Sequence, residues 1–229
     1  MLPIIILAGG RGTRLKSAIP DLPKCLAPVG DSSFIELLLA RLARFGASDV
    51  YLSLGYKSDL VIPVLQKQAS IKNIHWFVEP LPLGTGGAIK ACMDEFSLSE
   101  ALVINGDTWL EGDLVSMLQL SMKEEYSMIM GVVSVADRER YGGVEISNGI
   151  VTGYGEKDNS GPGLINGGIY CLKAECFSFM ESKTNLSFES AIIPKLVKSK
   201  LIQAVVLGVD FIDIGVPDDY YSFVARHGN

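Results

Sequence analysis

The first half of the chain repeats one pattern: short runs of nearly unbroken apolar residues alternate with stretches whose apolar positions recur every three or four residues. Ile4–Ala8, Val50–Leu54, Ile74–Val78 and Leu102–Ile104 are the apolar runs. A strand with one wet face alternates polar and apolar residues, so continuous apolar runs predict parallel strands covered on both faces. Between them, Phe34–Phe45 carries Ile35, Leu38, Leu39 and Leu42 at helical spacing, with Ser33 as cap and Gly46 as stop. A shorter helix is predicted after Gly87, and a broken or late-starting one after Tyr56, because Pro63 removes a backbone donor. The fold class that follows is α/β: a Rossmann-like mixed, mainly parallel sheet flanked by helices, with ligands gathered at the carboxyl ends of the strands.

The second half changes character. Ser127–Val135, Val144–Ser147 and Ile150–Tyr154 read as strands, with Asn148 and Gly149 supplying the positive φ angles of a tight hairpin turn. This predicts a β-ribbon insertion. Leu164–Leu172 reads as a further strand, Phe188–Lys198 as a helix, and Pro217–Arg226 as a closing helix with Pro217 at its first position. There are no internal repeats and no linker, and 229 residues suffice for one substantial core, so a single domain spanning 1–229 is expected.

Composition narrows the partners. Twenty-six acidic against 20 basic residues give a net charge of −6, which argues against a nucleic-acid or anionic-membrane surface and requires any phosphate site to be locally basic. No apolar stretch has membrane-spanning length, and the start of the chain reads as a strand rather than a leader. Cys25, Cys92, Cys171 and Cys176 are scattered without a CxxC pair, which predicts free thiols and a cytoplasmic location.

Chemistry is concentrated just after the predicted strands. The first one runs into Ala8-Gly9-Gly10-Arg11-Gly12-Thr13-Arg14-Leu15, whose glycines let backbone amides approach a ligand and whose arginines can neutralise it. It is neither common phosphate motif: a dinucleotide fingerprint would need glycine at Leu15, and no Gly-Lys-Ser/Thr follows at the P-loop spacing. Lys24 lies between Pro23 and Pro28 on a stiff segment. Asp107 sits beyond an apolar strand, and Asp213 closes the strand-like Phe211-Ile212. A hard carboxylate at Asp107 suits Mg²⁺, and two carboxylates converging would repel without a cation between them; an Asx turn at Asp107 and a helix-entry residue at Asp213 are the alternatives for each taken alone. Trp76 and Trp109 read as packing residues, His75 and His227 lack partner spacing, and Asp218-Asp219 suit a helix N-terminus.

The arrangement Gly9-Gly10-x-Gly12-Thr13-Arg14-Leu15 followed by Pro23-Lys24 resembles the opening of the sugar-1-phosphate nucleotidyltransferase family. The resemblance continues through Glu79-Pro80, Leu83-Gly84-Thr85-Gly86-Gly87, Asn105-Gly106-Asp107-Thr108, Arg140-Tyr141-Gly142, Glu156-Lys157, Asn166-Gly167-Gly168 and Phe211 to Pro217. It implies a GT-A-like fold and a reaction in which an NTP and a sugar 1-phosphate give a nucleotide sugar and pyrophosphate. The nucleotide-binding part would span about 1–125 and the sugar-phosphate part about 126–229. The resemblance further implies nucleotide contacts from Leu7, Ala8, Gly9, Gly10, Gly12, Thr13, Arg14, Lys24, Glu79, Gly84, Thr85 and Asp107, with Arg14, Lys24 and Asp107 catalytic. Asn105, Gly142, Glu156, Lys157, Asn166 and Gly167 would meet the sugar phosphate, and Asp107 and Asp213 would hold Mg²⁺.

Within the family, the segments Leu-Gly-Thr-Gly-Gly-Ala-Ile, Asn-Gly-Asp-Thr and Ile-Asn-Gly-Gly-Ile-Tyr resemble most the members acting on D-glycero-D-manno-heptose 1-phosphate, which implies GTP as the nucleotide. A uridylyl- or cytidylyltransferase for another sugar, or a catalytically silent regulatory homologue, are the alternatives, although silent relatives lose the working residues and Arg14, Lys24, Asp107, Lys157 and Asp213 all stand here. A glycosyltransferase would carry Asp-x-Asp, where this chain has Asn105-Gly106-Asp107. Homo-oligomer formation is possible. Cys25 replaces the proline usual after the family's lysine, which places a thiol beside the bound phosphate without giving it a catalytic role.

Overall fold

The apolar runs of the first half lie side by side in one sheet, and the order in which they do so places the site. The computed structural model describes residues 2–121, 123–155, 160–181 and 184–228. Its strands are β1 (Ile4–Leu7), β2 (Pro28–Val29), β3 (Ser32–Ser33), β4 (Asp49–Leu54), β5 (Asn73–Val78), β6 (Glu100–Asn105), β7 (Thr108–Leu110), β8 (Met128–Val135), β9 (Val144–Ser147), β10 (Ile150–Tyr154), β11 (Gly163–Lys173), β12 (Ile202–Leu207) and β13 (Phe211–Asp213). The α-helices are α1 (Phe34–Arg44), α2 (Ser58–Lys67), α3 (Gly84–Glu95), α4 (Leu114–Ser121), α5 (Ile193–Lys198) and α6 (Pro217–His227).

Nine strands, in the order β5-β4-β1-β6-β11-β8-β12-β10-β9, form a mixed sheet, with β7–β13 and β2–β3 as separate antiparallel pairs. The first four run parallel, while β11 is antiparallel to both its neighbours and β12 runs parallel to β8. The hairpin β9–β10, turned at Asn148 (φ 51°) and Gly149 (φ 76°), continues the sheet edge, with Ile150 opposite Gln203 of β12. Strand β12 carries no alternation that would announce it in the sequence, because most of its residues are only half-covered.

Both faces are covered over β1, β4 and β6, as their continuous apolar runs require, whereas the run Ile74–Val78 forms the edge strand β5, which has no fully buried residue because it has a neighbouring strand on one side only. Along β1, Ile4 and Ile6 enter a core shared with α1, α2, α4 and α6, while Ile5 enters a second core shared with α3 and α5. All three are fully buried. Each such side chain contributes about 1.5–3 kcal/mol on leaving water, so a strand this short is held by its neighbours on both sides. Helix α1 starts as expected: Glu36 accepts hydrogen bonds from the Ser33 amide (2.8 Å) and hydroxyl (2.6 Å).

Two helices depart from expectation. Helix α2 is neither broken nor delayed, running from Ser58 through Pro63 to Lys67. Pro63 is on the exposed face, so the carbonyl it leaves without an amide partner faces water. Helix α3 starts at Gly84, ahead of Gly87, because the Leu186 carbonyl accepts from the Gly86 and Gly87 amides (2.9 and 3.2 Å) and so offsets the poor helix propensity of glycine with a tertiary cap. The stretch Phe188–Lys198 is helical, but its first five residues form a wide π turn before α5. Among the described residues, no helix is long and apolar enough to cross a membrane.

All four cysteines are free and buried, and burial pushes each thiol up to about 12. A thiol raised this far stays protonated as pH rises to 8, leaving about one part in ten thousand as thiolate. The folded protein is therefore expected to stay unreactive to a thiol-titrating disulfide reagent at pH 8 and to react at all four cysteines in guanidinium; fast labelling of the native protein would contradict this burial.

Candidate active site

The carboxyl ends of β1, β4 and β6 open into a cleft of about 800 Å³, with a recess of about 210 Å³ beside it. Leu7 and Gly10 line both, Gly9 lines the cleft, and Ala8, Gly12 and Thr13 line the recess. The loop after β1 is fixed by the neighbouring strands: the Ala8 amide donates to Ser53 (2.9 Å) and the Gly9 carbonyl accepts from Tyr56 (3.1 Å). Gly12 is left-handed (φ 56°), and a Cβ there would stand 3.1 Å from the Lys24 Cβ, so the loop folds down on that lysine. Arg11 and Arg14 project from the loop over the cleft.

Lys24 is held from below. Pro23, Cys25, Leu26 and Ala27 are buried around it, leaving its own side chain 11% exposed. Its Nζ donates to Asp107 Oδ2 (2.6 Å) and to Asp213 Oδ1 (3.3 Å). These carboxylates are 106 positions apart in the chain, and the β7–β13 pair unites them: Thr108 stands opposite Asp213, and the Ile214 amide donates to the Asp107 carbonyl (3.0 Å). Asp213 also accepts from the Gly215 amide (2.7 Å) and has Arg14 at 3.8 Å. The cation that keeps the two carboxylates together is thus supplied by the chain itself. Cys25 Sγ lies 4.0 Å from the Ala8 carbonyl, a buried packing contact.

A second side of the cleft is formed by Gly84, Thr85 and Ala88 at the start of α3, which a strap, residues 184–188, holds from behind. Besides the Leu186 cap, Asn185 Nδ2 donates to the Pro82 carbonyl (2.8 Å), and the Phe188 amide donates to Thr85 Oγ1 (2.8 Å). A Cβ on Gly87 would collide with the Thr184 carbonyl. Part of the glycine motif therefore serves strap packing. Glu79 accepts from Ser53 (3.1 Å) and from the Leu83 amide (2.9 Å), which fixes the loop that carries Gly84 and Thr85 into the cleft wall.

On the third side stand Asn105, Gly142 and Asn166. Asn166 Nδ2 donates to Tyr170 (2.6 Å) and Tyr154 (3.3 Å), and its Oδ1 accepts from the Gly168 amide (3.0 Å). Burial, with the nearby Glu189 charge, raises the Tyr170 hydroxyl well above its ordinary value, so it stays protonated. Asn105 Oδ1 is buried and finds no hydrogen-bond partner among the described residues. Gly167 sits outside the cleft lining, in the irregular part of β11 against the Gly131 carbonyl. Glu156 and Lys157 lie outside the described residues.

Several cleft residues were not picked out from the sequence. Arg140 and Tyr141 line the wall beside Gly142; Arg140 pairs with Asp219 (2.9 Å) and Tyr141 packs edge-on against Phe211. Arg140 and Tyr141 both stand in the segment Arg140-Tyr141-Gly142 and so had a signal in the sequence. Ser53, Tyr154 and Glu189 came from stretches that read only as strand or helix.

A glycine-rich loop with arginines, a lysine between two aspartates and a wall of hydroxyls and amides, all at strand ends, describe a site for a phosphorylated ligand. The family model for nucleotidyl transferase matches residues 4–227, and the chain belongs to this family. Among curated proteins it is 39% identical, over 97% of its length and 99% of the relative's, to D-glycero-alpha-D-manno-heptose 1-phosphate guanylyltransferase from Campylobacter jejuni. It is 33% identical, over 94% of each chain, to the protein of that name from Aneurinibacillus thermoaerophilus. Among solved structures it resembles HddC from Yersinia pseudotuberculosis (TM-score 0.87, 36% identity, 99% of both chains) and HddC complexed with GMP-PN (TM-score 0.86, 35% identity, 99% of both chains).

The glycines of the loop are expected to behave differently on substitution. Gly12→Ala forces a side chain into the left-handed region against Lys24 and should cost about 1–2 kcal/mol in urea unfolding. Gly10→Ala, with open space around its added methyl, should stay within about 0.5 kcal/mol of the parent.

Proposed function

We propose that the chain is a sugar-1-phosphate guanylyltransferase: GTP and D-glycero-D-manno-heptose 1-phosphate give GDP-heptose and pyrophosphate. The observation that carries the reading is Lys24 poised between Asp107 and Asp213 beneath the glycine loop, in a cleft roomy enough for a nucleotide and a sugar. The names of the two heptose enzymes and the nucleotide analogue bound to HddC support the choice of base and sugar.

In this reading an oxygen of the sugar 1-phosphate attacks the α-phosphorus of GTP as the bond to the pyrophosphate oxygen breaks. The nucleophile is already anionic, so no proton needs removing, and the task is to hold two polyanions together and neutralise the charge that grows on the leaving group. Arg11, Arg14 and the amides of residues 8–14 take the triphosphate, and Lys24 takes the α-phosphate. Leu7, Glu79, Gly84 and Thr85 shape the base and ribose side. Asn105, Gly142 and Asn166 face the sugar, with Glu156, Lys157 and Gly167 proposed from the family motif alone. Despite a net charge of −6, the cations Arg11, Arg14, Lys24 and Arg140 converge on the cleft and its recess.

Asp107 and Asp213 also fit a divalent cation. Among the described residues no cluster of three or more protein ligands is placed to hold a metal. Two carboxylates suit Mg²⁺, which takes one or two from the protein and completes its shell with water and substrate phosphate. Bound there, Mg²⁺ would supply charge neutralisation to the phosphates. Lys24 would then be released from the carboxylates toward the α-phosphate.

Pyrophosphate release, measured with Mg²⁺, each NTP and a panel of sugar 1-phosphates, tests the reading. Turnover is expected with GTP and the heptose phosphate; another productive pair would replace the substrate, and no productive pair would overturn the activity. Asp107→Asn should lose about 10²–10³ in kcat/KM and should weaken Mn²⁺ binding in the presence of GTP, followed by electron paramagnetic resonance. Unchanged Mn²⁺ binding would remove Asp107 from the metal site.

A further inference from the structure

Four carboxylates line the cleft: Glu79, Asp107, Glu189 and Asp213. Three have work within the fold or at the phosphates. Glu79 uses both oxygens on Ser53 and Leu83, and the two aspartates share Lys24. Glu189 is left over. Its Oε2 accepts from the Thr85 hydroxyl (2.7 Å) and the Ser187 hydroxyl (3.2 Å), while among the described residues no hydrogen bond reaches Oε1 and no cation stands within ion-pair distance.

The placement is specific. Glu189 lies on the wide turn Phe188–Ile192, and such turns recur at functional sites because the extra residue re-aims a side chain. Phe188 beside it is fully buried against Tyr170 and Phe177, which anchors the turn. Around the carboxylate are Thr85, which donates to it, Tyr154, and the Tyr170–Asn166 pair, all neutral groups, with the Asn166 amide donating to both tyrosine hydroxyls rather than to Glu189. A carboxylate half-shielded from water whose Oε1 accepts no hydrogen bond and meets no counter-charge among the described residues is suited to a neutral ligand rich in hydroxyl donors. It is unsuited to phosphate, which it would repel. Of the two substrates, the carbon skeleton of the sugar meets that description.

We propose that Glu189 is a specificity-determining residue for the acceptor: Oε2 stays on Thr85 and Ser187 while Oε1 accepts a hydrogen bond from a hydroxyl of the sugar 1-phosphate. The proposal rests on the guanylyltransferase reading above. Because Thr85 belongs to the loop assigned to the base side, the same carboxylate ties the two halves of the cleft together.

The test compares parent, Glu189→Gln and Glu189→Asp by pyrophosphate release, varying GTP and heptose 1-phosphate separately, with melting curves alongside. Glutamine keeps an acceptor for Thr85 but turns an amide donor toward the sugar. The KM for the sugar phosphate should rise about 10- to 100-fold, with the KM for GTP and the melting temperature unmoved. Aspartate, which keeps the charge but withdraws it by one methylene, should lie between the two and also leave GTP unaffected. An unchanged sugar KM in a folded variant would overturn the proposal. So would a parallel rise in both KM values, the mark of a residue that only braces the Thr85 loop. If the glutamine variant does not fold, the aspartate variant decides by the same split. Failure of the parent enzyme to turn over any NTP and sugar phosphate would instead sink the guanylyltransferase reading, and this inference with it.

Discussion

The ammonium of Lys24, lodged between Asp107 and Asp213, is the interaction on which the site depends. Two carboxylates facing one another repel, and strands as short as β7 and β13, three residues each, could not hold them together by their ladder alone. The lysine supplies the missing charge. Its own position is set by the buried run around it, by Gly12 folding down on its side chain, and by the Tyr220 hydroxyl of α6 donating to the Pro28 carbonyl at 2.7 Å. In the proposed reading Arg14 turns to the phosphates, which would leave two carboxylates to one ammonium, a place suited to a further cation.

Around this point the fold does two separable jobs. The parallel strands β1, β4 and β6, covered on both faces, form a base whose strand ends present the glycine loop and Asp107. The second half contributes walls. The strap over α3 is the joint between them: the Leu186 carbonyl caps the helix, so the positive end of α3 is occupied by the chain's own backbone rather than left to an anion. In the proposed reading a glycine-rich helix start can therefore lie beside the phosphates without binding them, and the weight of phosphate binding falls on the loop after β1 and its cations.

The residues differ in how far the sequence betrayed them. Gly9 to Leu15, Lys24 and Asp107 form a local pattern of unusual residue types right after a predicted strand, and all of them fall at the cleft or its recess, apart from Leu15, which anchors the loop in the core. Asp213 was legible as a strand-end carboxylate, but its partnership with Asp107 depends on a strand pair that no periodicity announces in three residues. Asn166 was legible as a site residue, yet of the two tyrosines that occupy its amide Tyr154 comes from another strand, and Tyr170, four residues on in β11, is brought to it across the irregular part of that strand. Glu189 had no signal at all: in an amphipathic stretch a glutamate reads as a solvated face, and only the wide turn turns it inward.

By itself, the sequence determined the elements and their chemistry: apolar runs that become the strands of one sheet, a helix with its cap, a glycine loop with arginines, and carboxylates at strand ends. These are local consequences of side-chain period, backbone freedom and charge. The tertiary structure decided what no window along the chain contains. It decided which strands neighbour one another, that a lysine from one end and an aspartate from the other meet at 3.3 Å, and that α2 continues through Pro63 and α3 begins early under a borrowed carbonyl. The physical reason is the same each time: propensity acts within a few residues, whereas burial, hydrogen-bond satisfaction and charge pairing are settled by groups brought close only when the sheet has formed.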